Sequence, residues 1–121
     1  MTPHDAMAAW EAATVSYLDA RAASDAARRA WFLTLADRSG FYGYANPVAP
    51  ADVDAAHSRS VLAYTACQRA RAAACDAYVD AGVPMAARLL AQLSPRGVFV
   101  AGGPGHIEAL IDALLADPVR T

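Results

Sequence analysis

Residues 3–38 read PHDAMAAWEAATVSYLDARAASDAARRAWFLTLADR, and residues 51–81 read ADVDAAHSRSVLAYTACQRARAAACDAYVDA. Neither stretch holds a glycine or proline after its first residue, and good helix formers dominate both, so each predicts one long helix. Pro3 and Asp5 suit the start of the first, and Ser39-Gly40 its end. Pro50 precedes the second, Asp52 and Asp54 lie in its first turn, and Gly82 suits the position just past its end. Between them the connector SGFYGYANPVAP, residues 39–50, carries the glycines and prolines that let the chain fold back.

Alanine recurs every seven residues in both helices. In the first, Ala6, Ala13, Ala20 and Ala27 share one heptad position, and Ala9, Ser16, Ala23 and Ala30 the position three residues later. In the second, Ala56, Ala63, Ala70 and Ala77 share one position, and Arg59, Ala66, Ala73 and Asp80 the next. An antiparallel pairing sets Ala9 against Ala77, Ser16 against Ala70, Ala23 against Ala63 and Ala30 against Ala56, with its symmetry point at Gly43 in the connector. Small residues along such a seam let two backbones approach closely and gain dispersion contacts. Trp10, Tyr17 and Trp31 flank the seam on the first helix, and small residues such as Cys67 and Ala74 lie across from them.

After Gly82, leucine, isoleucine and valine replace alanine. Met85, Leu89, Leu90 and Leu93 fall on one face of a short helix, and Ile107, Leu110, Ile111, Leu114 and Leu115 on one face of another. Between them Val98-Phe99-Val100, set among glycines, reads as a short extended segment or a buried loop. The expected fold is all-α: a long antiparallel helical hairpin with an alanine-rich seam plus two shorter C-terminal helices, open to completion by dimerisation. It forms a single domain over residues 1–121, with helices over 3–38, 51–81, 83–94 and 104–117 and the C-terminal pair laid over the aromatic flank.

Composition agrees with such a thin core. Of the 56% of hydrophobic residues in the 121, 32 are alanine and 36 are larger. The net charge of −2 gives no electrostatic reason to expect nucleic acid or an anionic membrane as partner. No run approaches the roughly 18 apolar residues of a membrane span, and the start MTPHDAMAAW lacks the features of a secretion signal, so a cytoplasmic protein is expected. Cys67 and Cys75, eight residues apart on one helix, stand about 12 Å apart, beyond the ~7 Å reach of a disulfide.

Chemistry-bearing motifs are sparse. His57 follows Asp54 by three residues, but no further histidine, cysteine or glutamate completes a metal set, and His106-Ile107-Glu108 lacks the P-C-x-x-C that a zinc deaminase requires. Gly102-Gly103-Pro104-Gly105 precedes a helix and could offer amides to an anion, yet it matches neither the P-loop nor the dinucleotide fingerprint. Spacing pairs Asp25 with Arg29 and brings Asp19 near Arg69, while Arg21, Arg28 and Arg71 lie beside the aromatic ridge, placed to stack on rings or meet an acidic partner. No catalytic residue, metal or cofactor is assigned.

Thirty residues of helix span about 45 Å, against about 35 Å for a compact domain of this size. An overhanging hairpin tip carrying Phe41, Tyr42 and Tyr44, with outward-facing Val15, Leu18 and Phe32, therefore predicts a docking surface for another chain. The expected function is a non-enzymatic protein–protein interaction module, an adaptor, inhibitor or assembly subunit working as a homodimer. The alternative is a small-molecule-binding or enzymatic helical domain with a pocket between the aromatic flank and the C-terminal helices, using His57, Tyr64, Arg71, Gly103 and Gly105.

Overall fold

The structure, a computed structural model, describes residues 1–39 and 49–116, with side chains for 1–35 and 49–116. The described secondary structure is entirely helical: α1 (Pro3–Ser39), α2 (Ala51–Asp80), α3 (Pro84–Gln92), α4 (Pro95–Val100) and α5 (Pro104–Ala116). A long first helix pair is thus followed by three shorter helices rather than two. The chain divides into two compact units, one of Met1–Val15 with Thr65–Thr121 and one of Ser16–Tyr64. Each long helix contributes to both.

In the first unit a core of large side chains gathers around the N-terminal turns of α1. Met7 and Trp10 are buried with Ala74, Ala77 and Tyr78 of α2, and Leu90 of α3, Val98 of α4 and Ile107 and Ile111 of α5 complete the cluster. The alanines of α2 leave room for the Trp10 ring, so large meets small within one close-packed interior. The C-terminal helices do cover this part of the aromatic flank. Thr14 bonds its hydroxyl back to the Trp10 carbonyl at 2.8 Å and meets the Cys67 sulfur at 3.4 Å, which gives a buried polar group its partners.

The turns of this unit follow from particular residues. Gly82 has φ +80°, its amide donates to the Val79 carbonyl, and the Val83 amide donates to the Tyr78 carbonyl, the paired bonds that close a helix on glycine. Arg71 finishes α3 from outside: Nε donates to the Leu90 carbonyl at 3.1 Å and Nη2 to the Ala91 carbonyl at 2.7 Å. A cation is thereby held where the helix dipole is negative.

Val98-Phe99-Val100, expected to be extended or a loop, is the second half of α4. Ser94 caps that helix by accepting from the Gly97 amide at 3.0 Å, and Pro95 supplies its first position. Gly102, at φ +96°, ends it: the Gly102 amide donates to Phe99 and the Gly103 amide to Val98. Cap and stop together make six residues helical although the apolar triplet favours a strand in isolation.

In the second unit the same two long helices pair more sparingly. The residues buried among its described side chains are Ser24 of α1 and Val53 and Ala56 of α2. Tyr17 packs edge-on against Tyr64, with ring centroids 5.3 Å apart, and Trp31 stacks on Phe32 at the same separation. The contacts of Tyr17 with Tyr64 and of Arg28 with His57 run the two segments antiparallel.

The seam expected from alanine spacing is half right. Ala6, Ala13, Ala20 and Ala27 face inward, as do Ala56, Ala63, Ala70 and Ala77. The second inward position, however, lies four residues later, not three: Trp10, Tyr17, Ser24 and Trp31 on α1, and Ser60, Cys67 and Ala74, preceded by Val53, on α2. Ala9, Ser16, Ala23 and Ala30 are exposed, and so are Arg59, Ala66, Ala73 and Asp80. What was expected to flank the seam forms part of it, because burying an indole or phenol ring removes far more apolar surface from water than burying a methyl.

Candidate functional site

Within the second unit the two helices leave a cleft of about 350 Å³. Tyr17, Arg21, Ser24 and Arg28 step along α1 by four, three and four residues, the spacing of a single helical face, and Asp25 lies beside them. From α2 come His57, Ser60, Val61 and Tyr64, again one face. The Tyr17–Tyr64 pair stands at one end. At the other, Arg28 Nη2 donates to His57 Nδ1 at 3.5 Å, which leaves Nε2 as the protonated ring nitrogen in this arrangement. Ser60 donates its hydroxyl to the His57 carbonyl at 2.7 Å.

Among the described residues the guanidinium groups of this cleft have no carboxylate partners. His4 with Glu108, at 3.1 Å, is the ion pair found among the described residues, so the expected pairing of Asp25 with Arg29 does not form. Exposed pairs at helical spacing are worth only ~0.3–0.5 kcal/mol, too little to hold two long side chains in one geometry.

Of the residues expected to form a pocket, His57 and Tyr64 line this cleft. Arg71, Gly103 and Gly105 do not join them. Arg71 is committed to the α3 carbonyls, and the Gly103 amide is spent on Val98. Gly105, at the start of α5, lies against the Glu11 carboxylate so closely that a Cβ there would collide with it. The Glu11 carboxylate therefore sits beside the glycine-rich turn. Arg21, Tyr17 and Ser24 were missing from the expected pocket, although their four-three-four spacing with Arg28 was the signal that could have joined them to it.

Of the residues expected to dock another chain, Val15 is exposed in the first unit, and Leu18 and Phe32 in the second. Phe41, Tyr42 and Tyr44 lie outside the described residues. A further apolar surface, not anticipated, opens in the first unit as a groove of about 100 Å³ between α3 and α5. Met85 and Leu89 form one wall, Leu114 and Leu115 the other, and Val83, Ala86 and Ile111 the floor.

Two groups of the first unit titrate away from their ordinary range. Burial pushes the Cys75 thiol up, with Arg71 opposing and Asp76 reinforcing the shift, so the sulfur is held in its unreactive neutral form. Burial likewise raises the Tyr78 phenol, and the carboxylates of Glu108 and Asp112 raise it further. Among the described residues no three His, Cys, Asp or Glu side chains converge as a metal-binding group, and no helix is long and apolar enough to cross a membrane. Comparison with protein-family models, curated proteins and solved structures finds no match.

Proposed function

We propose that this protein is a helical protein–protein interaction module rather than an enzyme, and that it pairs with a second copy of itself through the apolar face of α3 and α5. One observation carries this reading. Among the described residues 15 large hydrophobic side chains are exposed, whereas eight larger than alanine are buried. Scattered exposed leucines are ordinary, but Met85, Leu89, Leu114 and Leu115 are contiguous around one groove. Two copies related by a two-fold axis can bury these walls against each other, since such an interface uses one self-complementary patch and needs no second surface.

The test is the mass in solution by light scattering at micromolar to high-micromolar concentration. The wild-type chain is expected to weigh as a dimer, and Leu89→Asp with Leu114→Asp as a folded monomer. Leu18→Asp with Phe32→Asp, on the outward faces of the other unit, is expected to leave the mass unchanged. A wild-type monomer throughout the range removes self-association. A dimer broken by the second pair but not the first moves the interface to the long helices.

A further inference from the structure

We propose that the cleft of the second unit binds a small aryl carboxylate, a flat apolar body carrying a single negative charge. This inference concerns a different surface from the α3–α5 groove and does not depend on self-association. Its volume of about 350 Å³ falls within the ~300–1,000 Å³ of small-molecule sites.

The lining is graded from apolar to cationic. Tyr17 and Tyr64 present aromatic faces and edges at one end, their planes 64° apart, with Val61 nearby. Arg28 and His57 stand at the other end, 11 residues or about 16 Å along α1 from Tyr17, and Arg21 reaches in from between. An aromatic ring fits the tyrosine end by edge-to-face or offset stacking, and guanidinium planes add to its contact. A carboxylate borne on that ring meets Arg21, four residues or about 6 Å along α1 from Tyr17, because its two oxygens match the forked N–H groups of arginine.

Charge selects the class of ligand. Arg21 and Arg28 bring two positive charges into the cleft and Asp25 one negative, a surplus of one positive charge from these three groups. A monoanion neutralises it, whereas a phosphate dianion reverses it. Neither arginine is paired with a carboxylate among the described residues. Asp25 lies four residues from both Arg21 and Arg29, the spacing at which helix ion pairs form, yet neither pair is made among the described residues. Ser24 lies between the two arginines in the same lining.

The experiment titrates the full chain with 3-phenylpropionate and follows the tyrosine ring and arginine Nε–H resonances, with 3-phenylpropanol and inorganic phosphate run in parallel. Saturable binding of 3-phenylpropionate is expected, with shifts at Tyr17, Tyr64 and Arg21. Arg21→Gln should weaken it about tenfold or more, the effect of losing a charge-assisted hydrogen bond, and the neutral alcohol should bind at least as weakly. Arg29→Gln, on the same helix outside the cleft, should leave affinity unchanged. Tyr64→Leu keeps the charges and should still cost affinity, so the aromatic end is tested even if an arginine variant fails to fold. Absent saturation, equal loss from Arg29→Gln, or phosphate binding as tight as 3-phenylpropionate overturns the assignment.

Discussion

The two units are built from the same pair of alanine-rich helices and differ in what is laid against them. In the first, three short helices bring Leu90, Val98, Ile107 and Ile111 onto Trp10 and Met7, and the interior closes. In the second, Ser24, Val53 and Ala56 are the buried residues among those described, and a polar cleft stays open beside them. An alanine seam therefore aligns two helices without enclosing anything. Enclosure requires a further layer, because a methyl group removes too little apolar surface from water to do it alone.

That contrast is most directly broken by cavity-forming substitutions. Trp10, 2% exposed, is the largest fully buried side chain, and Trp10→Ala should cost about 3–5 kcal/mol in urea denaturation. Val53→Ala in the second unit should cost only about 1–2 kcal/mol, since fewer atoms are lost from a thinner interior. Equal losses would mean that both units depend on their interiors alike. Amide exchange sharpens the point: the segments of α1 and α2 within Ser16–Tyr64 should exchange faster than Leu90, Ile107 or Ile111, because local opening there exposes less apolar surface.

A smaller effect is expected at the end of α3. Arg71→Gln removes a charge-assisted pair of bonds to the Leu90 and Ala91 carbonyls and should destabilise the first unit by about 1–3 kcal/mol, with raised exchange confined to α3 and its neighbours. If Arg71→Gln leaves exchange in α3 unaltered, the cap contributes nothing.

Alkaline pH offers a third comparison, smaller again under neutral conditions. Tyr78 has its phenol raised in the folded chain by burial and by Glu108 and Asp112, so the unfolded chain loses this proton first. Stability from this group is complete below the ordinary tyrosine value near 10 and declines as pH rises from there through the higher folded value. Tyr78→Phe should therefore flatten the loss of stability above about pH 10. An unchanged alkaline slope would show that other groups govern it.

The least change is expected from Ser24→Ala, which replaces the hydroxyl of a buried residue by hydrogen and should alter stability by under about 1 kcal/mol. A large loss would reveal a partner for that hydroxyl and weaken the reading of the cleft as open to a ligand.

Much of this architecture was legible in residue order. Uninterrupted helix formers over residues 3–38 and 51–81, bounded by Pro3, Pro50 and Gly82, specify two long helices because capping and backbone freedom act locally. The apolar faces around Leu90 and Ile111 likewise announce helices that need a covering surface. Half of the inward stripe could be read too. The other half was misplaced because alanine is at home inside and outside: Ala9, Ala23 and Ala30 are excellent helix formers on an exposed face, and their spacing resembles a seam. Only packing distinguished them, by turning Trp10, Tyr17 and Trp31 inward.

The site depended on tertiary structure to a greater degree. His57 and Tyr64 were visible as candidates, but nothing local shows that Arg21 and Arg28 face them across the second unit or that Asp25 forms no ion pair with Arg21 among the described residues. Arg71, Gly103 and Gly105 looked equally available in sequence, and each is taken up elsewhere, by carbonyls of α3, by the Val98 carbonyl and by the approach of Glu11. Helix limits follow from interactions among near neighbours in the chain. Which polar group is free and which is spent follows from contacts between residues far apart in it, and those exist only once the helices have packed.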